Sequence, residues 1–317
     1  MTQASLPSEK GPFSAAVVSN RRIGECFWTM TLRFSGDGAK AFAGFRPGQF
    51  IQIDVSEVAL PGPKAIPAHL RDGAHRNVLL RRPFSFASVT CEGEATSAEL
   101  LYCVLGPATL RMTTLDYGQS ISIIGPLGNG FSVPEGKKTA LLVVGGMGLP
   151  PISCLAKSLT AQHPDIDAFA FVGARNAEAL PFENRLDAIS KQLGFSVPVF
   201  AEAGIPSVIA TDDGSAGHHG MVTEELTRWL DENNTNRRDE TIIYACGPEP
   251  MLATVAGIAG QYGIDCQVSM ERRMACGIGL CQSCAVEHRV DGSEETIYKL
   301  CCKDGPVFDG KSVVFEA

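Results

Sequence analysis

The chain has 317 residues, 44% of them apolar, and its 27 Lys and Arg against 35 Asp and Glu give a formal charge of −8. This length suits two or three domains with sizeable cores. An acidic chain whose basic runs never exceed a pair lacks the surface of a nucleic-acid-binding protein. The longest apolar run, residues 139–156, is broken by three glycines and two prolines, so we expect no membrane span.

The N-terminus and the cysteine content indicate a cellular compartment. Residues 1–13 are polar and lack the apolar core of a signal peptide. The 11 cysteines are odd in number and lie mostly in apolar surroundings, which fits a reducing compartment better than a disulfide scaffold. We therefore expect a cytoplasmic protein.

Residues 12–134 contain short β-rich segments separated by Gly, Pro and Asp. This pattern predicts a small antiparallel β-barrel. The predicted strands are 14–19, 26–34, 49–55, 84–89, 100–105 and 120–124. Within this half, residues 56–77 show no clean periodicity and are interpreted as a surface insertion.

One phrase of the barrel half, Arg82-Pro83-Phe84-Ser85, combines an arginine, an aromatic ring and a hydroxyl at a strand edge. Such a strand can set a guanidinium against phosphate, a ring against an isoalloxazine and a hydroxyl at a flavin nitrogen. The alternative is an edge-strand arginine beside a core phenylalanine. The residues alone leave both open.

The pattern changes after residues 131–138, which are interpreted as a linker. Apolar runs then alternate with amphipathic stretches, and this alternation predicts a parallel sheet with helices on both faces. The predicted strands are 139–144, 167–172, 195–200 and 241–245. The first predicted helix follows the strand at 139–144 and ends at about residue 162. Three further helices are predicted at 182–191, 222–232 and 248–262.

Two glycine-containing turns in this half lead from a strand into a helix. The first carries Gly145, Gly146 and Gly148, and the second carries Cys246 and Gly247. Glycines let the backbone approach a pyrophosphate, which the N-terminus of the following helix attracts. The alternative is a pair of plain tight turns with Cys246 as a core residue. Two such turns in one parallel sheet predict a ligand crevice at the carboxyl ends of its strands.

The C-terminal part contains Cys276, Cys281 and Cys284 in the spacing C-x4-C-x2-C, followed by Cys301-Cys302. This is the plant-type spacing for a [2Fe–2S] cluster, which carries one electron at a time. A structural zinc site is the alternative, although zinc ribbons usually show two short-spaced cysteine pairs. The fourth ligand is either Cys301 or Cys302. Because apolar periodicity is weak after Cys266, we expect the cluster rather than a core to hold this tail together.

Seven phrases, in order along the chain, resemble the ferredoxin–NADP reductase superfamily and, within it, the electron-transfer subunits of class B dihydroorotate dehydrogenases. They are RPFS at 82–85, GPLGNGF at 125–131, GGMGLPP at 145–151, TDDGS at 211–215, CGPEPM at 246–251, ERRMAC at 271–276 and CKDGPVF at 302–308. The resemblance extends from about residue 12 to the end of the chain and omits the insertion.

The resemblance implies a multidomain oxidoreductase of pyrimidine biosynthesis. After a tail at 1–11, residues 12–136 form an FAD-binding β-barrel, 137–264 an NAD-binding α/β domain and 265–317 a small [2Fe–2S] domain. It further implies a heterotetramer with a separate FMN-containing catalytic subunit, in which electrons pass from dihydroorotate through FMN, the cluster and FAD to NAD(H). The alternative is a related NAD(P)H reductase subunit for another oxidoreductase, favoured by the insertion and by an alanine, Ala108, where the family has glycine.

The resemblance also assigns residues by position. For FAD it implies Arg82 at a phosphate, Pro83 and Phe84 along the cofactor, Ser85 at the flavin, and a second phosphate turn from Gly106 to Thr109. For NAD it implies Gly145, Gly146 and Gly148 at the pyrophosphate, with Cys246 and Gly247 facing the nicotinamide.

For the cluster the resemblance implies Cys276, Cys281, Cys284 and Cys302, because the family's last cysteine directly precedes x-D-G-P. Hydride transfer requires no acid–base pair, so we predict no catalytic side chain. Asp212 and Asp213 would repel a 2′-phosphate if they lie near the ribose. We therefore expect NADH to be preferred over NADPH.

Overall fold

The structure, a computed structural model, describes residues 11–182, 197–233 and 237–315. Strands form a closed barrel, a seven-stranded sheet and a two-stranded hairpin. The strands are β1 Gly11–Arg22, β2 Phe27–Phe34, β3 Phe50–Ile53, β4 Arg82–Glu92, β5 Ala95–Cys103, β6 Ser120–Leu127, β7 Thr139–Gly145, β8 Asp167–Ala174, β9 Ser207–Thr211, β10 His218–His219, β11 Thr241–Cys246, β12 Asp265–Ser269, β13 Ala285–Arg289, β14 Thr296–Leu300 and β15 Val307–Asp309. The α-helices are α1 Gly36–Ala43, α2 Arg71–Ala74, α3 Pro107–Met112, α4 Leu149–Gln162, α5 Pro198–Glu202, α6 Val222–Asn233 and α7 Glu249–Tyr262.

The predicted barrel is confirmed. Its strands follow the order β1-β2-β5-β4-β3-β6, and β6 pairs with β1 to close it. The rings of Phe34 and Phe42 stack inside with centroids 4.1 Å apart, and Phe86 meets Phe42 edge-on at 5.8 Å. Burial of these large apolar side chains stabilises the barrel.

The insertion at 56–77 packs against the barrel as short helical turns. Two of its apolar residues, Ile66 and Ala74, are buried in the barrel core. Its backbone is tied to the segment around α3, because Val58 and Ala59 offer carbonyl oxygens to the side chains of Arg111 and Thr114. Irregular turns of this kind produce no regular period in the sequence.

The predicted parallel sheet is also confirmed, in the order β10-β9-β8-β7-β11-β12-β15. Strand β7 is the middle strand of this sheet and is buried on both faces. Leu141 and Val143 pack into the core on one face, whereas Leu142 and Val144 pack into the core on the other. A strand buried on both faces reads as a continuous apolar run. None of the helices in the described ranges is long and apolar enough to traverse a bilayer.

The predicted strand at 195–200 is wrong. Residues 195 and 196 lie outside the described residues, while Pro198–Glu202 form a short helix that begins with proline, as helices often do. The sheet strand is instead Ser207–Thr211. Val197 and Phe200 are buried, so burial of a helix end produced an apolar run like that of a strand. The predicted helix at 182–191 lies, apart from Phe182, outside the described residues.

The expectation that the tail lacks a core is wrong as well. Strand β12 pairs in parallel with β11, and β15 pairs antiparallel with β12, so the tail extends the sheet. Val286, Cys301, Phe308 and Val313 are buried in the same apolar core as one face of the sheet. These residues lie on short strands and loops, so they leave no period in the sequence. The domain boundaries given above remain predictions.

Candidate functional site

A cleft of about 240 Å³ opens where the barrel, the sheet and the tail meet. The barrel contributes Pro83, Phe84 and Ser85, three of the residues predicted to bind flavin. The sheet contributes Cys246 at the carboxyl end of β11, and the tail contributes Glu271. The structure therefore brings residues of the predicted flavin, nicotinamide and cluster segments to one place.

Arg82 belongs to the same strand but does not line the cleft. Its Nη1 donates to the carbonyl oxygen of Leu80 at 2.6 Å. The neighbouring Arg81 is bound differently: it donates to the carbonyl and hydroxyl oxygens of Ser122 and lies 3.2 Å from a carboxylate oxygen of Asp54. Of the two arginines, Arg82 is the one that forms no ion pair with a described carboxylate, so its charge is available to a phosphate.

The turn from Gly106 to Thr109 opens α3 and also lies outside the cleft lining. The Thr109 hydroxyl accepts from the backbone N–H groups of Leu105 and Gly106 at 2.9 and 3.3 Å. A Cβ added at Gly106 would meet no atom within 4 Å. The turn is thus closed by its own threonine while the space beside Gly106 stays open.

The two glycine turns of the sheet pack against each other. A Cβ at Gly145 would lie 2.6 Å from Pro248, one at Gly148 would overlap the carbonyl group of Cys246, and one at Gly247 would lie 2.9 Å from Gly145. These three glycines therefore permit contact between the turns.

Gly146 is different. It has φ of +49° and open space where a Cβ would be. Left-handed backbone favours glycine, and the open side faces no packed neighbour. Of the turn's glycines, this one leaves room for a ligand.

Burial keeps the Cys246 thiol protonated. Desolvation, followed by the charge of Glu271, raises its pKa. Partial burial by the surrounding protein raises the pKa of the Glu271 carboxyl too, although the residue retains exposed surface. Cys246 lines the cleft but is 2% exposed and belongs to the core on one face of the sheet, so its thiol is buried and neutral.

Arg272 ties the tail to the sheet beside this cleft. Its two terminal nitrogens bind both carboxylate oxygens of Glu249 at 2.6 and 2.9 Å, and Glu249 is the first residue of α7. Bidentate pairs of this kind fix orientation as well as distance. The start of the segment from Glu271 to Cys276 is therefore held at the N-terminus of α7.

The cysteines of the cluster segment form two pairs. The backbone N–H of Cys281 donates to Sγ of Cys276, and that of Cys302 donates to Sγ of Cys284, both at 3.4 Å. Among the described residues no group of three or more metal-binding side chains is close enough to hold a single metal ion. A two-iron cluster needs two thiolates on each iron, and two pairs suit that donor set.

The two candidates for the fourth ligand, Cys301 and Cys302, differ in their contacts but not in their pKa values. Burial raises the pKa of Cys301 and Cys302 alike to about 12. The Cys301 thiol, however, donates to the carbonyl oxygen of Met270 at 3.3 Å, whereas the sulfur of Cys302 interacts with Cys284 and with the backbone N–H of Gly279. Cys302 thus contacts the loop and Cys301 contacts the core.

The Cys281 thiol, a proposed cluster ligand, is hydrogen-bonded by Ser283. Hydrogen bonds from Ser283, the larger from its hydroxyl at 3.1 Å, lower the pKa of Cys281 to about 6. Its sulfur is therefore largely thiolate at neutral pH, which is the form that binds metal.

The tail is also fastened to the barrel. Asn129 donates from its backbone to the carbonyl oxygen of Gly305 at 2.5 Å and from its side chain to that of Asp304 at 2.8 Å. A Cβ at Gly128 would lie 2.6 Å from the Gly305 oxygen. The phrase GPLGNGF therefore contacts the turn that follows Cys302 and links the barrel to the tail.

Several residues of this region lie in predicted segments but have no predicted role. Glu271 and Arg272 belong to the phrase ERRMAC, and Gln52 belongs to a predicted strand. A signal for Gln52 was present, because a polar residue between Ile51 and Ile53 must face away from the barrel core. The partner of Arg272, Glu249, lies too far away in the sequence to be inferred.

Comparisons with known families and proteins agree with this geometry. The iron–sulfur cluster binding domain of dihydroorotate dehydrogenase B matches residues 271–314, and the oxidoreductase NAD-binding domain matches residues 142–257. The electron transfer subunit of dihydroorotate dehydrogenase B (NAD(+)) from Caldanaerobacter subterraneus subsp. tengcongensis is 34% identical over 301 residues, covering 95% of this chain and 98% of that protein. The corresponding subunit from Bacillus pumilus is 34% identical over 299 residues, covering 94% and 96%.

Solved structures show the same fold. The NADH-dependent reduced ferredoxin–NADP oxidoreductase is similar with a TM-score of 0.69 and 25% identity, covering 95% of this chain and 90% of that one. Phthalate dioxygenase reductase is similar with a TM-score of 0.54 and 15% identity, covering 92% and 78%. At that identity the second likeness concerns the fold alone.

Proposed function

We propose, since the chain belongs to the family of electron-transfer subunits of dihydroorotate dehydrogenase B, that it passes electrons between NAD(H), FAD and a [2Fe–2S] cluster. Its partner is a separate FMN-containing subunit that oxidises dihydroorotate, and the two form a heterotetramer of pyrimidine biosynthesis. The observation that carries the proposal is the cleft in which Phe84, Cys246 and Glu271 meet, because it joins the three segments that such a chain of carriers requires.

The residues that line the cleft and those of the neighbouring turns have distinct tasks in this proposal. FAD, when bound, exchanges electron pairs with the nicotinamide and single electrons with the cluster. Phe84 and Ser85 orient the flavin from the barrel, and Arg82 holds its phosphate. Gly146 leaves room for the NAD pyrophosphate, and Cys246 faces the nicotinamide. Gly106 and Thr109 supply the second FAD-phosphate turn, with Gly145, Gly148 and Gly247 shaping the NAD turns.

In this proposal, two pairs of cysteines bind the cluster. Cys276 and Cys281 supply one, and Cys284 and Cys302 supply the other, as their contacts suggest. The thiolate character of Cys281 supports metal uptake at neutral pH. None of the 11 cysteines, all of which lie in the described residues, forms a disulfide, which supports a location in the reducing cytoplasm.

Co-purification tests the proposal. The full chain is tagged, co-expressed with the FMN-containing subunit of its own organism and purified anaerobically. We expect bound flavin and iron, a stable complex, and NAD+ reduction by dihydroorotate that requires both subunits. The Cys302→Ser variant is the matched control: it should bind the partner and lose the coupled activity. A chain that oxidises dihydroorotate alone, or that binds no FMN-containing subunit, would contradict the proposal.

A further inference from the structure

Gln52 on β3 is a buried amide without partners. Its side chain is 1% exposed, and neither Nε2 nor Oε1 has a hydrogen-bond partner among the described residues. Buried polar groups in folded proteins are nearly always hydrogen-bonded, and leaving them unpaired is costly. An apolar side chain of similar size would fill this space without that cost, so packing alone does not account for the amide.

Strand alternation places Gln52 outside the barrel core. Ile51 and Ile53 pack inside the barrel, whereas Phe50 lines the cleft and packs into the core that includes the tail. Side chains two residues apart share a face of a strand. Gln52 therefore faces the tail, on the same side as Phe50.

On that side, the Gln52 side chain lies against the cluster loop at Gly277. A Cβ added at Gly277 would overlap Nε2 of Gln52, and Gly277 has φ of +68°. Gly277 directly follows Cys276, the first ligand of the proposed cluster. Only a glycine leaves the space that brings the amide of Gln52 to the backbone of this loop.

The other side of Gln52 is the flavin strand. In the β3–β4 pair, Gln52 is the register partner of Pro83, and Ile51 is the partner of Phe84. One residue thus stands between the strand proposed to orient flavin and the loop proposed to hold the cluster. Hydrogen bonds to sulfur and the hydration of the site are the means by which proteins set cluster potentials.

We propose that Gln52 is a positioning residue for the cluster, whose side-chain N–H donates to a sulfur acceptor of the loaded loop. This rests on the proposed function, because it requires that the loop binds the cluster. An N–H donated to sulfur stabilises the more negative, reduced cluster. Gln52 therefore raises the reduction potential of the cluster and slows its loss.

The test compares the full chain with its Gln52→Met variant, both purified anaerobically. Three quantities are measured: the midpoint potential of the cluster by spectroscopically monitored titration, the rate of iron transfer to a chelator, and the unfolding temperature of cluster-free protein. We expect the variant to show a lower potential and iron loss faster by about tenfold. Its cluster-free form should unfold at a higher temperature, since two unpaired polar atoms are removed. If the Met variant does not fold, Gln52→Leu gives the same comparison.

Gln49 offers a matched control on the same segment. It is buried, but its Oε1 accepts from the backbone N–H of Arg46 at 2.8 Å and its Nε2 donates to the carbonyl oxygen of Gly128 at 2.9 Å. Gln49→Met should lower the unfolding temperature of cluster-free protein and leave the potential unchanged. A Gln52→Met protein with wild-type potential and wild-type iron loss would overturn the inference alone. Wild-type protein that binds no iron would overturn the proposed function and this inference with it.

Discussion

The Cys301 thiol donates to the carbonyl oxygen of Met270 at 3.3 Å, inside the core that the tail shares with the sheet. Its neighbour Cys302 instead contacts Sγ of Cys284 through its backbone N–H. We predict that Cys302→Ser abolishes the cluster, because one iron would lose a thiolate. Cys301→Ser should retain about two irons per chain. Iron content and the visible spectrum of anaerobically purified protein measure both.

The Cys301 and Cys302 variants serve as controls for each other, because the two residues are adjacent in the chain. Both residues are buried, so a general loss of folding would affect both variants. Equal iron content in the two variants, or loss of iron only from the Cys301 variant, would contradict the assignment of Cys302.

Arg82 and Arg81 make a second matched pair. Because Arg82 makes no ion pair with a described carboxylate and donates only to backbone oxygens, Arg82→Ala should weaken FAD retention with little change in unfolding temperature. Arg81→Ala should do the reverse, since it removes two hydrogen bonds to Ser122 and the contact with Asp54. Its loss should cost about 1 kcal/mol of unfolding free energy. Flavin occupancy after gel filtration and urea unfolding distinguish the two, and unchanged occupancy in Arg82→Ala would count against its role.

Most of the architecture followed from local pattern. The barrel strands and the strands β7, β8 and β11 are short apolar or alternating runs between turn residues, and such runs report burial directly. The strand misplaced at 195–200 fails for the same reason, because the burial of Val197 and Phe200 does not reveal whether the backbone is helical or extended. Short elements whose state depends on tertiary contacts are the ones that a sequence pattern cannot resolve.

In the candidate site, too, features set by local sequence were predictable, whereas contacts between distant residues were not. The spacing of the proposed cluster ligands Cys276, Cys281 and Cys284 was visible in the sequence, because one loop carries them. The contacts that complete the site join residues far apart in the chain, such as Arg272 with Glu249 and Asn129 with Asp304. Such contacts depend on the fold, and so they had to be observed.

The glycines of the first turn should respond unequally to substitution. Gly148→Ala places a methyl group against the carbonyl of Cys246 and should lower the free energy of unfolding by about 3 kcal/mol or more. Gly146→Ala meets no atom but must adopt φ of +49°, which costs about 1 kcal/mol. Urea unfolding measures both changes. Equal losses in the two variants would show that contact between the turns is not what Gly148 provides.

Gly146→Ala also tests the proposed nucleotide site. Because its open side is where we place the pyrophosphate, the variant should bind NADH more weakly than its small loss of stability explains. Titration with NADH, followed by flavin fluorescence, gives the dissociation constant. An unchanged constant would remove Gly146 from the proposed site.

Asp212 lies at the carboxyl end of β9, where its backbone N–H donates to the carbonyl oxygen of Ala174 at 3.1 Å. The carboxylate of the next residue, Asp213, is engaged by Ser215 at 2.6 Å. We predict that Asp212→Asn improves kcat/KM for NADPH relative to NADH by about tenfold, because removing one like charge lowers the barrier by about 1.4 kcal/mol. Asp167→Asn, at the opposite end of β8, is the control and should leave the ratio unchanged. A ratio that does not change in Asp212→Asn would place the ribose elsewhere.

His288 should make the stability of the tail dependent on pH. It is fully buried, its ring meets Phe308 with centroids 4.4 Å apart, and its Nδ1 lies 2.9 Å from the Ser312 hydroxyl. Burial, followed by the charge of Lys299 and opposed by that of Asp304, lowers its pKa from the usual 6.5. As the pH falls below about 6.5, the unfolded chain binds a proton that the folded chain refuses, so the free energy of unfolding falls. One residue contributes at most about 1.4 kcal/mol per pH unit. Thermal unfolding between pH 8 and 5.5 should therefore show a steeper decline for the wild type than for His288→Phe, and parallel curves would mean that this imidazole is not the group responsible.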